Sequence, residues 1–342
     1  MKTTIITDVI SNNSTVGYTP NQIKSAYNIG NIEAGQGLNV SVIDFFGNPY
    51  IQRNIDVFSA EFTLPKITLN MFDESYENNF DFSGYIEPSV DTQWVHAISP
   101  QASINVIRAP EYSVKGAINA IERALEIGTD ILLMTFQAEF RESYKQYSSL
   151  FDADCVFIAS AGDYGSQVNF PACMPQCIAV GGTSLGISEN GQRTSEETVW
   201  EGTGGGICTY FEIPEYQRKM SGISELTDGM RGVPDVSFLA DPMTGYSVYH
   251  SSVVDGFGWY RTGGTSVASS VIAGIVANML SANLFENIMK RDVLSALYAL
   301  AGETEYSNPF GKYIDITEGN NGIYRAMLGY DLCTGLGSLI NL

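Results

Sequence analysis

Five short runs of the chain are apolar at nearly every position and rich in valine and isoleucine: residues 40–45, 104–107, 131–136, 156–159 and 178–180. A run that is apolar on both faces suits a strand covered on both sides, as in a parallel sheet. Helical patterns lie between them, as over residues 114–127, where Ile118, Ile121, Leu125 and Ile127 give an apolar face. This alternation predicts an α/β fold with a predominantly parallel central sheet and helices on both faces. After Gly181 the texture changes to glycine-rich loops and short aromatic segments, through Gly204-Gly205-Gly206 and Pro234-Asp235 to Gly263-Gly264. Residues 267–280 follow as a strongly apolar stretch with little polar face, which predicts a helix buried in the middle of the molecule. Residues 311–342, with many Asp, Asn and Gly, read as loop. With no internal repeat and no Pro/Ser linker, one domain over residues 1–342 is expected.

Composition narrows the functions. A chain of 342 residues with 44% hydrophobic positions can bury a large core. Its 38 acidic residues against 18 Lys and Arg give a formal charge of −20, which repels nucleic acid and anionic membrane. Such acidity ordinarily serves solubility, and it also suits proteins that work at low pH. Residues 1–10 carry one Lys and an apolar stretch interrupted by Asp8, which does not make a signal peptide. No stretch approaches the ~20 apolar residues of a membrane span. A soluble chain is expected, its compartment open. Two histidines argue against a zinc site. Of the five cysteines, Cys155, Cys173, Cys177, Cys208 and Cys333, only Cys173 and Cys177 are close in sequence. Buried free thiols are the first expectation, one disulfide the second.

Gly263-Gly264-Thr265-Ser266 stands before the buried helix, so Ser266 places a hydroxyl at a helix start that small residues leave open to a substrate backbone. Serine there is ordinarily a cap, so a nucleophile needs an activating partner. His96 and His250 are the candidate imidazoles. His96, in Trp94-Val95-His96-Ala97-Ile98, reads as a structural histidine packed into a helix, and His250 has no surroundings that mark a triad. Glu87 and Asp91 lie four residues apart and share one face of a helix if Pro88 takes its first position. That face continues through Trp94, Val95 and Ile98, so the carboxylates fall on the apolar side, where repulsion and burial favour a shared proton. Asp163, in Ser160-Ala161-Gly162-Asp163-Tyr164-Gly165, follows a predicted strand at the edge where open α/β sheets bind ligands, and Asp44 ends the first predicted strand in the same way. Both could equally be turn formers.

Taken in order, Glu87-Pro88-Ser89-Val90-Asp91 with Trp94-Val95-His96-Ala97, Gly162-Asp163-Tyr164-Gly165 and Gly263-Gly264-Thr265-Ser266 resemble the three catalytic segments of the sedolisins, or serine-carboxyl peptidases. Supporting matches span nearly the whole chain: Tyr18-Thr19-Pro20 with Ala26-Tyr27, Phe170-Pro171-Ala172, Ala179-Val180-Gly181-Gly182-Thr183-Ser184, Gly204-Gly205-Gly206, Pro234-Asp235-Val236-Ser237 and Asp241-Pro242-Met243-Thr244-Gly245-Tyr246. The resemblance implies a subtilisin-like fold and an acid-active serine peptidase acting on peptides or proteins. In it Ser266 is the nucleophile, Glu87 the general base and acid, Asp91 its partner, and a protonated Asp163 the donor to the oxyanion. Asp44 would extend the carboxylate network behind Asp91. The resemblance also implies one structural Ca²⁺, held by Asp315, Asp331 and the carbonyls of Ile316, Met327 and Gly329, within Asp315-Ile316-Thr317 and Gly329-Tyr330-Asp331. An all-oxygen set in a loop is what Ca²⁺ requires. A monomer is expected, and an acidic extracellular or vesicular setting would suit the chemistry.

The sequence departs from the pattern in places. Met134-Thr135-Phe136-Gln137 stands where relatives carry a Ser-Trp-Gly type of segment, and the stretch between Asp163 and Phe170-Pro171 is short, so substrate preference is not carried over. Met327 replaces a glycine common in the calcium loop, where only its carbonyl would be used. The family's usual prodomain has no counterpart, and the chain reads as the mature catalytic domain, either processed or naturally without one. The competing reading is a catalytically inactive, sedolisin-like scaffold that binds peptides or partners. Endopeptidase and tripeptidyl-peptidase activities are both open.

Overall fold

A computed structural model describes residues 7–11, 14–30, 35–72, 82–252, 256–285, 288–302 and 306–341, with backbone only for 7–11, 82–85 and 252. The stretch read for a signal peptide thus lies partly outside the described residues. All five apolar runs are strands, and they pair in parallel at the centre of a ten-stranded sheet. Across the sheet the order is Tyr313–Ile314, Ser338–Leu339, Val236–Leu239, Cys177–Ser184, Val156–Ser160, Ile131–Met134, Asn39–Asp44, Ser103–Arg108 and Asn70–Phe72. Thr198–Val199 pairs antiparallel with Cys177–Ser184, and Tyr313–Ile314 antiparallel with Ser338–Leu339. Two of the strands lie in the tail read as loop.

Alternate residues of the central strands enter two separate cores, which is why their sequences are apolar throughout. Val40, Val42, Ile131, Leu133 and Ile158 pack on one face with the helices Phe82–Ile98 and Thr265–Ser281. Ile43, Leu132, Met134, Phe157 and Ala159 pack on the other with Val114–Glu126. Chain order reverses at Asn39–Asp44, whose neighbours Ser103–Arg108 and Ile131–Met134 both come later in sequence. Crevices at the carboxyl ends of strands beside such a reversal are where open α/β sheets bind ligands; Asp44 ends its strand there, and Thr135 and Asp163 follow the ends of theirs.

Three expectations change. The helix carrying Glu87 runs Phe82–Ile98, so Pro88 lies inside it rather than at its first position. Proline forfeits one ladder bond in mid-helix, and here packing of the following turns, with Val90, Trp94, Val95 and Ile98 fully buried, outweighs that local preference. The run 131–136 stops pairing at Met134, leaving Thr135 and Phe136 beyond the ladder. Cys173 and Cys208, 35 residues apart, form a disulfide, the second expectation rather than the first, while Cys155, Cys177 and Cys333 are buried free thiols.

Candidate active site

Two buried helices run side by side and set the site. Gly274 of Thr265–Ser281 faces Ile98, where a Cβ on the glycine would come within 2.6 Å of the isoleucine Cβ. The missing side chain lets the helices approach. One turn beyond, Asn278 Nδ2 donates to the Ile98 carbonyl at 3.0 Å, and toward the other end Ser270 Oγ lies 2.8 Å from Asp91 Oδ1. The Gly274 Cβ position is also 3.3 Å from the Val95 carbonyl, so Val95 with Gly274 and Asp91 with Ser270 are four residues apart on both helices, and the next step places Glu87 opposite Ser266. Gly264, the residue before the helix, has φ +113°, and its N–H donates to the Ala240 carbonyl at 2.6 Å. A side chain is strained at that φ, so the glycine fixes how Ser266 enters the helix.

Glu87, Asp91, Asp163 and Ser266 come together as buried side chains. Both Glu87 carboxylate oxygens are buried without a hydrogen-bond partner. The hydroxyls of Ser266 and Thr135 are near enough to favour its ionised form without forming a well-aligned bond. Burial, then the charge of Asp91, hold Glu87 well above the usual carboxylate range, with Asp163 adding to the effect. Asp91 Oδ2 accepts from Thr135 Oγ1 at 2.8 Å. Burial raises Asp91 to about 7, the Thr135 and Ser270 hydroxyls oppose the rise, and the Asp44 charge adds to it. Two carboxyl groups one helical turn apart and this dry favour states in which at least one of them carries a proton.

Thr135 also turns its carbonyl toward Ser266, whose Oγ lies 3.4 Å away. Ser270 Oγ is 3.0 Å from the Ser266 carbonyl as well as 2.8 Å from Asp91. Sequence reasoning named neither Thr135 nor Ser270 as a site residue. Ser270 carries a weak signal, standing one helical turn after Ser266 in an otherwise apolar stretch.

Asp163 Oδ1 accepts from the Thr265 N–H and the Thr265 hydroxyl, each at 2.8 Å, and that hydroxyl accepts from the Gly162 N–H at 3.0 Å. Oδ2 takes no part in these bonds. Burial raises Asp163 to about 7, outweighing both bonds from Thr265, so below that pH the group is protonated and can donate. Asp44 acts as the turn former: its Oδ1 accepts from the N–H groups of Phe46 and Gly47 at 2.8 and 3.0 Å, and it touches the site through its charge on Asp91. His96 Nε2 donates to the Pro65 carbonyl at 2.8 Å, and His250 Nδ1 lies 3.4 Å from Asn48 Nδ2 and Ser89 Oγ. Burial lowers His250 to about 4.

The family model of the subtilases matches residues 82–311, a stretch that includes all four of these side chains. The chain belongs to the subtilase family, in its sedolisin branch. It is 30% identical to kumamolisin from Bacillus sp. (strain MN-32) over 364 aligned positions, covering 95% of this chain and 62% of kumamolisin. With sedolisin from Pseudomonas sp. (strain 101) the identity is 36% over 187 positions, 51% of this chain and 29% of that protein. The chain thus spans less than two thirds of the length of these curated relatives. Among solved structures, Pseudomonas sedolisin, a serine-carboxyl proteinase complexed with two molecules of pseudo-iodotyrostatin, superposes with a TM-score of 0.80 at 24% identity, over 96% of both chains. That likeness shows the shared subtilisin-like fold.

The loop that resembles the sedolisin calcium loop has a donor set suited to a hard cation. Asp315 Oδ2 accepts from the Gly329 N–H at 2.9 Å and Asp331 Oδ2 from the Met327 N–H at 3.1 Å, so both carboxylates flank residues 327–329. Burial raises Asp331 to about 6 and Asp315 above its usual range. No ion pair among the described residues uses either. Among the described residues no three acidic, His or Cys side chains gather as a metal cluster. Further ligands would therefore be backbone oxygens, as the resemblance implies.

Proposed function

We propose that this chain is an acid-active serine-carboxyl peptidase, and the observation that carries the proposal is Glu87, whose buried carboxylate has no partner but the neighbourhood of Ser266. Attack uses the state in which the proton of the acidic pair has moved from Glu87, the more strongly raised of the two, to Asp91, and Glu87 then removes the Ser266 proton as Oγ attacks the scissile carbonyl. Ser270 supports that state, since its hydroxyl can donate to the Ser266 carbonyl while accepting from a protonated Asp91. The tetrahedral oxyanion receives hydrogen bonds from protonated Asp163 Oδ2 and the Ser266 N–H. Glu87 then gives its proton to the leaving amine, and water releases the acyl group from Ser266 by the same steps in reverse.

Asp315, Asp331 and the carbonyls of Ile316, Met327 and Gly329 would hold one Ca²⁺. Bound there, the ion would neutralise the buried Asp331 and the half-buried Asp315 and tie residues 315–316 to 327–331. The peptidase acts as a monomer with residues 1–342 as one domain. Peptides or proteins are its substrates.

The test is hydrolysis of a mixed peptide library at pH 4 and pH 7 by the protein, Ser266→Ala and Glu87→Ala, read by mass spectrometry. Cleavage at pH 4 that is lost in both variants is expected, with activity between roughly pH 3 and 6, a range in which Asp163 keeps the proton it donates. A folded protein that cuts nothing at either pH would instead be a peptide-binding scaffold.

A further inference from the structure

A surface pocket of about 550 Å³ adjoins the site, lined by Gln137, Ala138, Glu139, Gln167, Val168 and Asn169, together with Tyr164. Two of its lining residues stand beside the reacting groups along the chain. Gln137 is two residues beyond Thr135, whose carbonyl faces Ser266 Oγ, and Tyr164 directly follows Asp163. The buried floor is fixed: Asn169 Nδ2 donates to Gln137 Oε1 at 2.9 Å, and that oxygen lies 2.3 Å from where a Cβ on Gly162 would stand. Glu139 pairs through its backbone with Asn169 in a short antiparallel ladder, and its side chain is exposed at the wall. Apart from the Tyr164 phenol it is the one ionisable group of the lining, and no ion pair among the described residues uses it.

The chemistry sets which part of a substrate lies there. Glu87 must reach the leaving amine and Asp163 the oxyanion, so the acyl half that stays on Ser266 extends to the Asp163 side. On the Glu87 side the described residues form a narrow crevice, walled by Phe45, Phe46, Pro88 and Phe136.

Resting on the peptidase reading above, we propose that this pocket receives the side chain immediately before the cleaved bond and that Glu139 selects lysine or arginine there. The methylene stem would lie along Ala138 and Val168 while the cationic head reaches the Glu139 carboxylate, so little apolar stem stays in water and the charge gains a partner.

Two measurements test this. Peptides alike except for arginine, lysine, norleucine or glutamate before the cut are given to the protein, Glu139→Gln and Glu139→Arg. Separately, product-like peptides ending in arginine or norleucine are titrated into Ser266→Ala and into Ser266→Ala/Glu139→Gln. Arginine and lysine peptides should be cut with kcat/KM at least about tenfold above norleucine, a difference of about 1.4 kcal/mol. Glu139→Gln should remove that preference while cutting the norleucine peptide within about threefold of the parent, and Glu139→Arg should favour glutamate. Cutting without preference for a cation, or a preference that survives Glu139→Gln, overturns the pocket assignment and leaves the peptidase reading intact. If no peptide is cut, tighter binding of the arginine-ended peptide that depends on Glu139 sustains the pocket and removes the reaction. Equal binding of both peptides overturns it.

Discussion

Asp163 can serve the proposed oxyanion only while it carries a proton, and burial keeps that proton to about pH 7. Replacing it by alanine should lower kcat by about 10²–10³, the usual cost of one oxyanion donor. Asp163→Asn keeps an acceptor for Thr265 and offers an amide N–H to the oxyanion, so it should lose clearly less. Its activity should also fall less steeply between pH 6 and 8. Steady-state pH profiles of the two variants decide, and equal losses would remove the donor role. Ser266, Glu87, Asp91 and Asp163 were legible in the sequence because each lies in a short motif or at a strand or helix end. Thr135 and Ser270 were not, because a threonine after a strand and a serine inside an apolar helix carry no local mark. Their relation to Asp91 exists only across 44 and 179 residues.

At the scale of elements, the site depends on how closely the helices Phe82–Ile98 and Thr265–Ser281 approach. Gly274→Ala would push a methyl against Ile98 and should destabilise the fold by about 1–3 kcal/mol, the usual cost of overpacking. Thermal unfolding should report a fall of several degrees. Because the shift separates Glu87 from Ser266, kcat should fall further than unfolding accounts for at a temperature where the variant is folded. Unchanged melting and kcat would show that the contact does not set the register. The strands were readable because burial on both faces writes itself as uninterrupted apolar sequence. The start of the glutamate helix was not, since Pro88 is a helix-start signal by local preference and is overridden by packing. The Cys173–Cys208 bond was equally hidden: cysteine spacing gives chain separation, whereas pairing follows distance in space.

For the whole molecule, proton binding links the site to stability. Asp91 and Asp163 ordinarily ionise near 3.8 and in the fold do so near 7. Between those values the folded state holds protons that the unfolded chain has released. Their contribution is therefore complete below about pH 4 and is lost as pH rises through 7, by at most about 1.4 kcal/mol per pH unit for each group. Thermal melts should show greater stability near pH 4–5 than at pH 8, with a shallower decline for Asp163→Asn, and a steeper or unchanged decline in that variant would count against the linkage. The calcium loop adds a separate lever. Metal analysis of dialysed protein should find about one Ca²⁺ per chain, and a chelator should lower the melting temperature by several degrees, but not in Asp331→Asn. No retained calcium and an unmoved melt would end that assignment.

The sequence by itself determined the parallel strands, the buried helix behind Gly264 and the motif-borne acids and serine. Those features rest on local chemistry: apolar period, glycine freedom and residue order. Only the tertiary structure decided which carboxylates are raised together, which lack a partner, and that Thr135 and Ser270 each join Asp91 to Ser266. Desolvation and hydrogen bonding depend on what surrounds a group in space, and the groups around Asp91 are brought there by a sheet and two helices far apart along the chain.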